Sequence, residues 1–131
     1  MIPTNELRRI AEARLKDAKA LLAARRYDGA VYLCGYAVEL ALKARICRAL
    51  RWPGYPSTTG EFRDYQSFRV HDLDVLLHLT GREDRVKASY FAEWSAVAQW
   101  NPSARYQAVG TAQRVDAELM ISSAGILLRN T

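Results

Sequence analysis

The chain has 131 residues, half of them hydrophobic, with 19 Lys and Arg against 14 Asp and Glu and a formal net charge of +5. That length suits one domain spanning residues 1–131, able to bury about two-thirds of the surface its unfolded chain exposes. No apolar run approaches the ~18 residues of a membrane span, and the opening MIPTNELRRIAEARLK lacks the apolar core of a signal peptide, so a cytoplasmic protein with no membrane contact is expected.

Apolar residues at helical spacing predict a first helix over residues 4–25, with Leu7, Ile10, Ala11, Ala18, Leu21 and Leu22 on its buried side and Thr4, after Pro3, as N-cap. The second helix is predicted over 28–50, with Asp28 as N-cap and Trp52-Pro53-Gly54 as the stop. Its inner stripe is Ala30, Leu33, Cys34, Ala37, Val38, Ala41 and Ala44, and so many small residues imply a neighbouring helix at close range. Cys34 and Cys47 lie on this one helix, too far apart to pair and without metal-ligand spacing; they read as buried structural thiols. Residues 52–70 are long for a bundle loop, but Tyr55, Phe62, Tyr65 and Phe68 give them apolar surface, so they are expected to pack as a flap over one end. A short third helix is predicted over 72–79, closed by Thr80-Gly81, then a fourth over 82–99. The last covers 111–128, with Ala112, Val115, Leu119, Ser122 and Ile126 inward. No strand pattern competes. The fold class is therefore all-α, an antiparallel up-and-down bundle of four main helices and one short one.

Three elements in order carry a family resemblance. They are DAKALLAARRYDGA (residues 17–30), then Tyr36-Ala37-Val38-Glu39 with Leu42-Lys43-Ala44, then an H-x-L-x-x-L at His71, Leu73 and Leu76. Over roughly residues 7–128 the chain resembles the HEPN domain (higher eukaryotes and prokaryotes nucleotide-binding). The resemblance implies a helical bundle that dimerises with itself. It also implies a binding module for a nucleotide or a partner, of the kind that accompanies a minimal nucleotidyltransferase chain in a toxin–antitoxin-like pair. Ribonuclease members of the family carry an Arg, four to six residues, then a His, a cation for the scissile phosphate and an imidazole for proton transfer. Here His71 would need Arg at 64–66, which are Asp, Tyr and Gln, and His78 would need it at 71–73, which are His, Asp and Leu. The motif is absent, so a non-catalytic member is expected. The alternatives are a ribonuclease toxin with a degenerate site at Arg105, Tyr106 and His71, and a structural oligomerisation domain.

The net positive charge falls entirely within residues 1–65, and no acid lies between Glu39 and Glu61, where Lys43, Arg45, Arg48 and Arg51 occur. That run could face phosphate or RNA, or it could merely complement the negative end of a helix. Glu39 and Lys43 are spaced i, i+4 with the acid first, a helix pair that needs further partners if it faces inward. His71 and His78 would stand about 10.5 Å apart along a helix, too far for one metal ion, so His71 reads as an N-cap or a loop-anchoring hydrogen-bonder. In Trp100-Asn101-Pro102-Ser103-Ala104-Arg105-Tyr106, an arginine between aromatics could hold an anionic or planar ligand. Alternatively, Trp100 and Tyr106 plug the bundle while Arg105 pairs with Glu39 or Glu93. The ligand-binding candidates are thus Arg105, Tyr106, Trp100, Glu39, Lys43 and His71, with no catalytic set, metal site or cofactor indicated.

Overall fold

A computed structural model describes all of residues 1–131. It contains six α-helices: α1 (Thr4–Ala23), α2 (Tyr27–Leu50), α3 (Leu73–Leu79), α4 (Glu83–Ser89), α5 (Phe91–Val97) and α6 (Arg114–Asn130). Two 3-10 turns lie at Gln66–Phe68 and Pro102–Tyr106, and two short strands, β1 (Ile2–Pro3) and β2 (Gly54–Tyr55), complete the chain. The all-α bundle is as expected from the periodicity.

The central element is α2, which packs against α1, α3, α6 and the turn at Pro102–Tyr106. Eleven of its residues are buried, including Ala30, Cys34, Ala37, Val38, Ala41 and Ala44 of the expected stripe. Small side chains let the neighbours approach, and burying apolar area against them is the main stabilising term. The α1–α2 hairpin turns at residues 24–26, where Arg25 takes a left-handed conformation (φ 62). Asp28 near the start of α2 reaches Ala112, Cys34 touches the Met120 carbonyl, and Arg8 of α1 donates to Leu128 at the far end of α6. So α6 runs in the same sense as α2 and against α1, as alternate helices of an up-and-down bundle do. Both cysteines are free and buried, and burial pushes the Cys34 thiol up to about 12.

Several local expectations are corrected. Thr4 is the first residue of α1 rather than its cap, and its hydroxyl donates to the Trp52 and Pro53 carbonyls across the structure. The α2 helix begins at Tyr27, and Asp28 caps nothing in it; the carboxylate instead accepts the amides of Gly110 and Ala112, 2.7 and 2.8 Å away. Those two backbone bonds hold its pKa below the ordinary carboxylate value. Residues 52–70 do pack, with Tyr55 and Phe62 buried and Trp52, Tyr55, Tyr65 and Phe68 in edge-to-face and tilted contacts. They also form the strand pairing that no alternation announced: β2 lies antiparallel to β1, with Ile2 opposite Tyr55 and Pro3 opposite Gly54. Two residues per strand are too few to write a period-2 pattern.

The helix expected over 82–99 is two helices. Tyr90 leaves helical geometry (φ −134, ψ 38), although its amide still bonds to Val86 and that of Trp94 to the Tyr90 carbonyl. Trp94, buried and donating to Asp74 of α3 at 2.8 Å, fixes where α5 must lie. In α6 the inward face is Ala117, Met120, Ile121, Ala124, Leu127 and Leu128. The residues expected inward lie outside it: Val115 is 64 % exposed, Leu119 is 57 % exposed, Ser122 is exposed, and Ala112 and Ile126 are only half-buried. The sequence of α6 carries two apolar stripes, and periodicity alone cannot rank them; the wider one is buried.

Trp100 closes the bundle beside α2. A Cβ added at Gly35 would lie 2.1 Å from its indole ring, so the helix needs glycine at that point. Gly35→Ala is expected to force the indole out of place at a cost of about 1–3 kcal/mol. Urea unfolding monitored by tryptophan fluorescence checks this, with a lower midpoint and a red-shifted native spectrum as the result.

Candidate functional site

A helix enclosed on most sides can offer polar groups only along what remains. On α2 that remainder is Tyr32, Tyr36, Glu39 and Lys43, spaced i, i+4, i+7 and i+11, one stripe about 16 Å long. The candidate residues gather at its two ends.

At one end the Glu39 carboxylate is 4 % exposed and engaged on both oxygens: Lys43 Nζ lies 3.4 Å from Oε2 and His71 Nδ1 2.9 Å from Oε1. A buried carboxylate requires such partners. The Glu39–Lys43 pair is therefore as the i, i+4 spacing suggested, and His71 anchors its loop through Glu39 while Asp72 serves as the α3 N-cap, accepting the Val75 amide. Lys43 Nζ also sits 5.1 Å from the centre of the Tyr55 ring. The imidazole of His71 is 59 % exposed and, with Lys43, Arg69 and Ser57, lines a cleft of about 280 Å³ between α2 and the 52–70 segment.

At the other end Trp100 is buried, its ring 4.9 Å from that of Tyr36, and its Nε1 has no hydrogen-bond partner. Tyr32 and Tyr36 meet edge to face with hydroxyls 3.5 Å apart; that bond and then burial push the Tyr36 hydroxyl up to about 12. Arg105 lies outside them, its guanidinium 4.7 Å from the centre of the Tyr106 ring. Interaction with Tyr106 first, and with Tyr32 second, holds its pKa above the usual guanidinium value. Neither Glu39 nor Glu93 forms an ion pair with it, and Tyr106 is 77 % exposed, so of the plug alternative only Trp100 plays its part. Arg105, Tyr32, Gln107 and Asp28 line a second cleft of about 300 Å³.

The structure thus joins Glu39, Lys43 and His71 in one group and places Trp100, Arg105 and Tyr106 at the opposite end of the same stripe. Tyr32 and Tyr36 were missed from the sequence although they share the helical spacing of Glu39 and Lys43. Arg69 left no comparable signal, because only the chain's path places it near His71. His78 is exposed, 3.8 Å from Glu83, and no three His, Cys, Asp or Glu side chains converge as a metal site.

A family model described as the HEPN domain matches residues 4–60, which cover α1, α2 and the start of the packed segment after it. The resemblance carried by Glu39 and Lys43 is shown over that span. No curated protein and no solved structure matches the chain.

The Glu39 group has a measurable asymmetry. Glu39→Ala leaves Lys43, 13 % exposed, without its counter-charge and is expected to cost about 2–4 kcal/mol. His71→Ala, which leaves the Glu39–Lys43 pair intact, is expected to cost about 1 kcal/mol or less. Equal losses in chemical denaturation of the two variants would show that Glu39 is not the anchor.

Proposed function

We propose that residues 1–131 act as one HEPN-like, non-catalytic binding module that takes a nucleotide at the Arg105 end of the α2 stripe. The observation that carries the reading is Arg105: a guanidinium no carboxylate neutralises, stacked on Tyr106 beside Tyr32 at the mouth of a cleft. A fork of N–H donors suits a phosphate and the exposed Tyr106 ring suits a base. Trp100 backs Tyr36 and holds that wall rigid, while Lys43 and His71 offer donors at the far end of the stripe. The HEPN resemblance supports a cytoplasmic subunit that works beside a minimal nucleotidyltransferase chain in a toxin–antitoxin-like pair. No helix is long and apolar enough to cross a membrane.

The test is thermal unfolding with a panel of nucleotides. Ligand at about 100 times its dissociation constant should stabilise the fold by about 2.7 kcal/mol. Arg105→Ala should abolish that gain and leave the unliganded midpoint nearly unchanged, since Arg105 forms no ion pair. A panel with no concentration-dependent shift sinks the reading. The sequence points the ribonuclease alternative to Arg105, Tyr106 and His71, but Arg105 and His71 line separate clefts. What supports it instead is a carboxylate that orients the exposed His71 ring, with Arg69 lining the same cleft, as acid–base chemistry on a phosphodiester would need. RNA cleavage that disappears in His71→Ala would select it instead.

Self-association belongs to the same proposal. The outward-facing Val115 and Leu119 on α6, with the half-buried Ile126, offer apolar area that a second copy would cover, in keeping with the dimer implied by the resemblance. Sedimentation equilibrium is expected to give about twice the 14.8 kDa chain mass, and Leu119→Lys is expected to return the monomer. A monomer at tens of micromolar for the unaltered chain removes the homodimer.

A further inference from the structure

The cleft between α2 and the 52–70 segment carries its own pair of cations, separate from Arg105. Its volume is about 280 Å³, and Lys43 and Arg69 both line it. Each cation rests on one of two adjoining buried rings. Lys43 Nζ lies 5.1 Å from the centre of the Tyr55 ring, and the Arg69 guanidinium 5.5 Å from that of Phe62. The two rings are themselves 6.4 Å apart, and the Tyr55 hydroxyl donates to the Phe68 carbonyl. Aromatic packing therefore sets both cations at fixed places in one cleft. Their charges are not balanced. Glu39 compensates Lys43 at 3.4 Å and gives its other oxygen to His71. Arg69 forms no ion pair: Glu61 is occupied by Ser57 and Thr58, and Asp72 caps α3. Beside the cations, Ile2, Leu40 and Val70 supply apolar wall.

We infer that this cleft binds a small monocarboxylate with an apolar body, the carboxylate between Lys43 and Arg69 and the body against Ile2, Leu40 and Val70. One uncompensated cation matches one negative charge. A phosphate monoester, with a charge of about −1.5 to −2, would leave part of its charge unmet. A guanidinium fork receives a carboxylate in two parallel bonds, and the Lys43 ammonium, with one of three N–H groups spent on Glu39, adds a third. The volume lies at the small end for ligand clefts, which suits a ligand of few atoms. Burying an alkyl or aryl body against the apolar wall favours binding further. The inference is independent of the nucleotide reading, whose cleft is lined by Arg105, Tyr32 and Asp28.

Titration of the full chain with hexanoate, followed by two-dimensional amide NMR, tests it. Saturable shifts are expected around Lys43 and Arg69, with a dissociation constant of about a millimolar or tighter. Hexanamide keeps the body without the charge, and acetate keeps the charge without the body; each should bind about tenfold more weakly or worse. Arg69→Gln, at an exposed position, should weaken hexanoate about tenfold and leave the unliganded spectrum otherwise unchanged. Arg69→Lys should recover part of that loss, and Arg105→Ala should change nothing. The inference is overturned if hexanoate gives no saturable shifts at tens of millimolar, or if its binding is indifferent to Arg69. It is also overturned if hexanamide or acetate binds as tightly. Inorganic phosphate held more tightly than hexanoate through Arg69 would show a phosphate site in its place. An RNA oligomer held there and not displaced by hexanoate would assign the cleft to the ribonuclease reading instead.

Discussion

The near-complete enclosure of α2 is the constraint from which the rest of the structure follows. A helix touched by α1, α3, α6 and the turn at Pro102–Tyr106 must be apolar or small on most of its circumference. Gly35 is the extreme case, admitting an indole where a methyl group would not fit. What chemistry α2 can present is confined to one stripe and to its last turn, Arg48 to Leu50, where the cover ends. Both candidate clefts lie along that stripe. Their positions are consequences of packing before they are matters of function.

Electrostatics reinforces the division. Glu39 is the only acid of the α2 interior, and it is used internally: it fixes Lys43, and through His71 it fixes the chain where it enters α3. Lys43 is thereby neutralised, whereas Arg105 is not. A protein whose net charge is +5 carries cations without partners, and Arg105 is one that lies at the mouth of a cleft. A surface that repels itself costs stability when free and gains it when an anion arrives. The same physics makes such groups candidates for binding rather than for structural ion pairing.

The irregular segments are tied in by single long-range bonds as well as by the aromatic packing of residues 52–70. Asp28 draws in residues 110–112, Thr4 ties the start of α1 to Trp52 and Pro53, and Tyr55 donates its hydroxyl to the Phe68 carbonyl at 2.5 Å. Each bond joins positions that are remote in sequence or lie across a loop. They place Arg105 beside Tyr32 and His71 beside Glu39, so the geometry of both ends of the stripe rests on polar contacts that would be the first to loosen.

The sequence by itself determined the helices, because periodic burial writes itself into residue order. Leu7, Ala11 and Ala18 on α1 and Ala30, Cys34, Ala37, Val38, Ala41 and Ala44 on α2 are buried as their spacing required, while Ile10, Leu21, Leu22 and Leu33, expected with them, are only half-buried. Glu39 and Lys43 pair for the same reason, since i, i+4 neighbours meet on any helix. His71, read as a cap or a loop anchor, is the anchor only, because Asp72 takes the cap. Tertiary structure decided what spacing leaves degenerate or does not encode. Which apolar stripe of α6 turns inward depends on the neighbour that covers it, so Val115 and Leu119 went outward against expectation. Asp28, an apt N-cap in sequence, is used by a loop more than eighty residues away. Whether Arg105 meets an acid depends on chain paths through loops, whose course no short-range pattern records. Local periodicity fixes the face a residue occupies, and only packing fixes what that face meets.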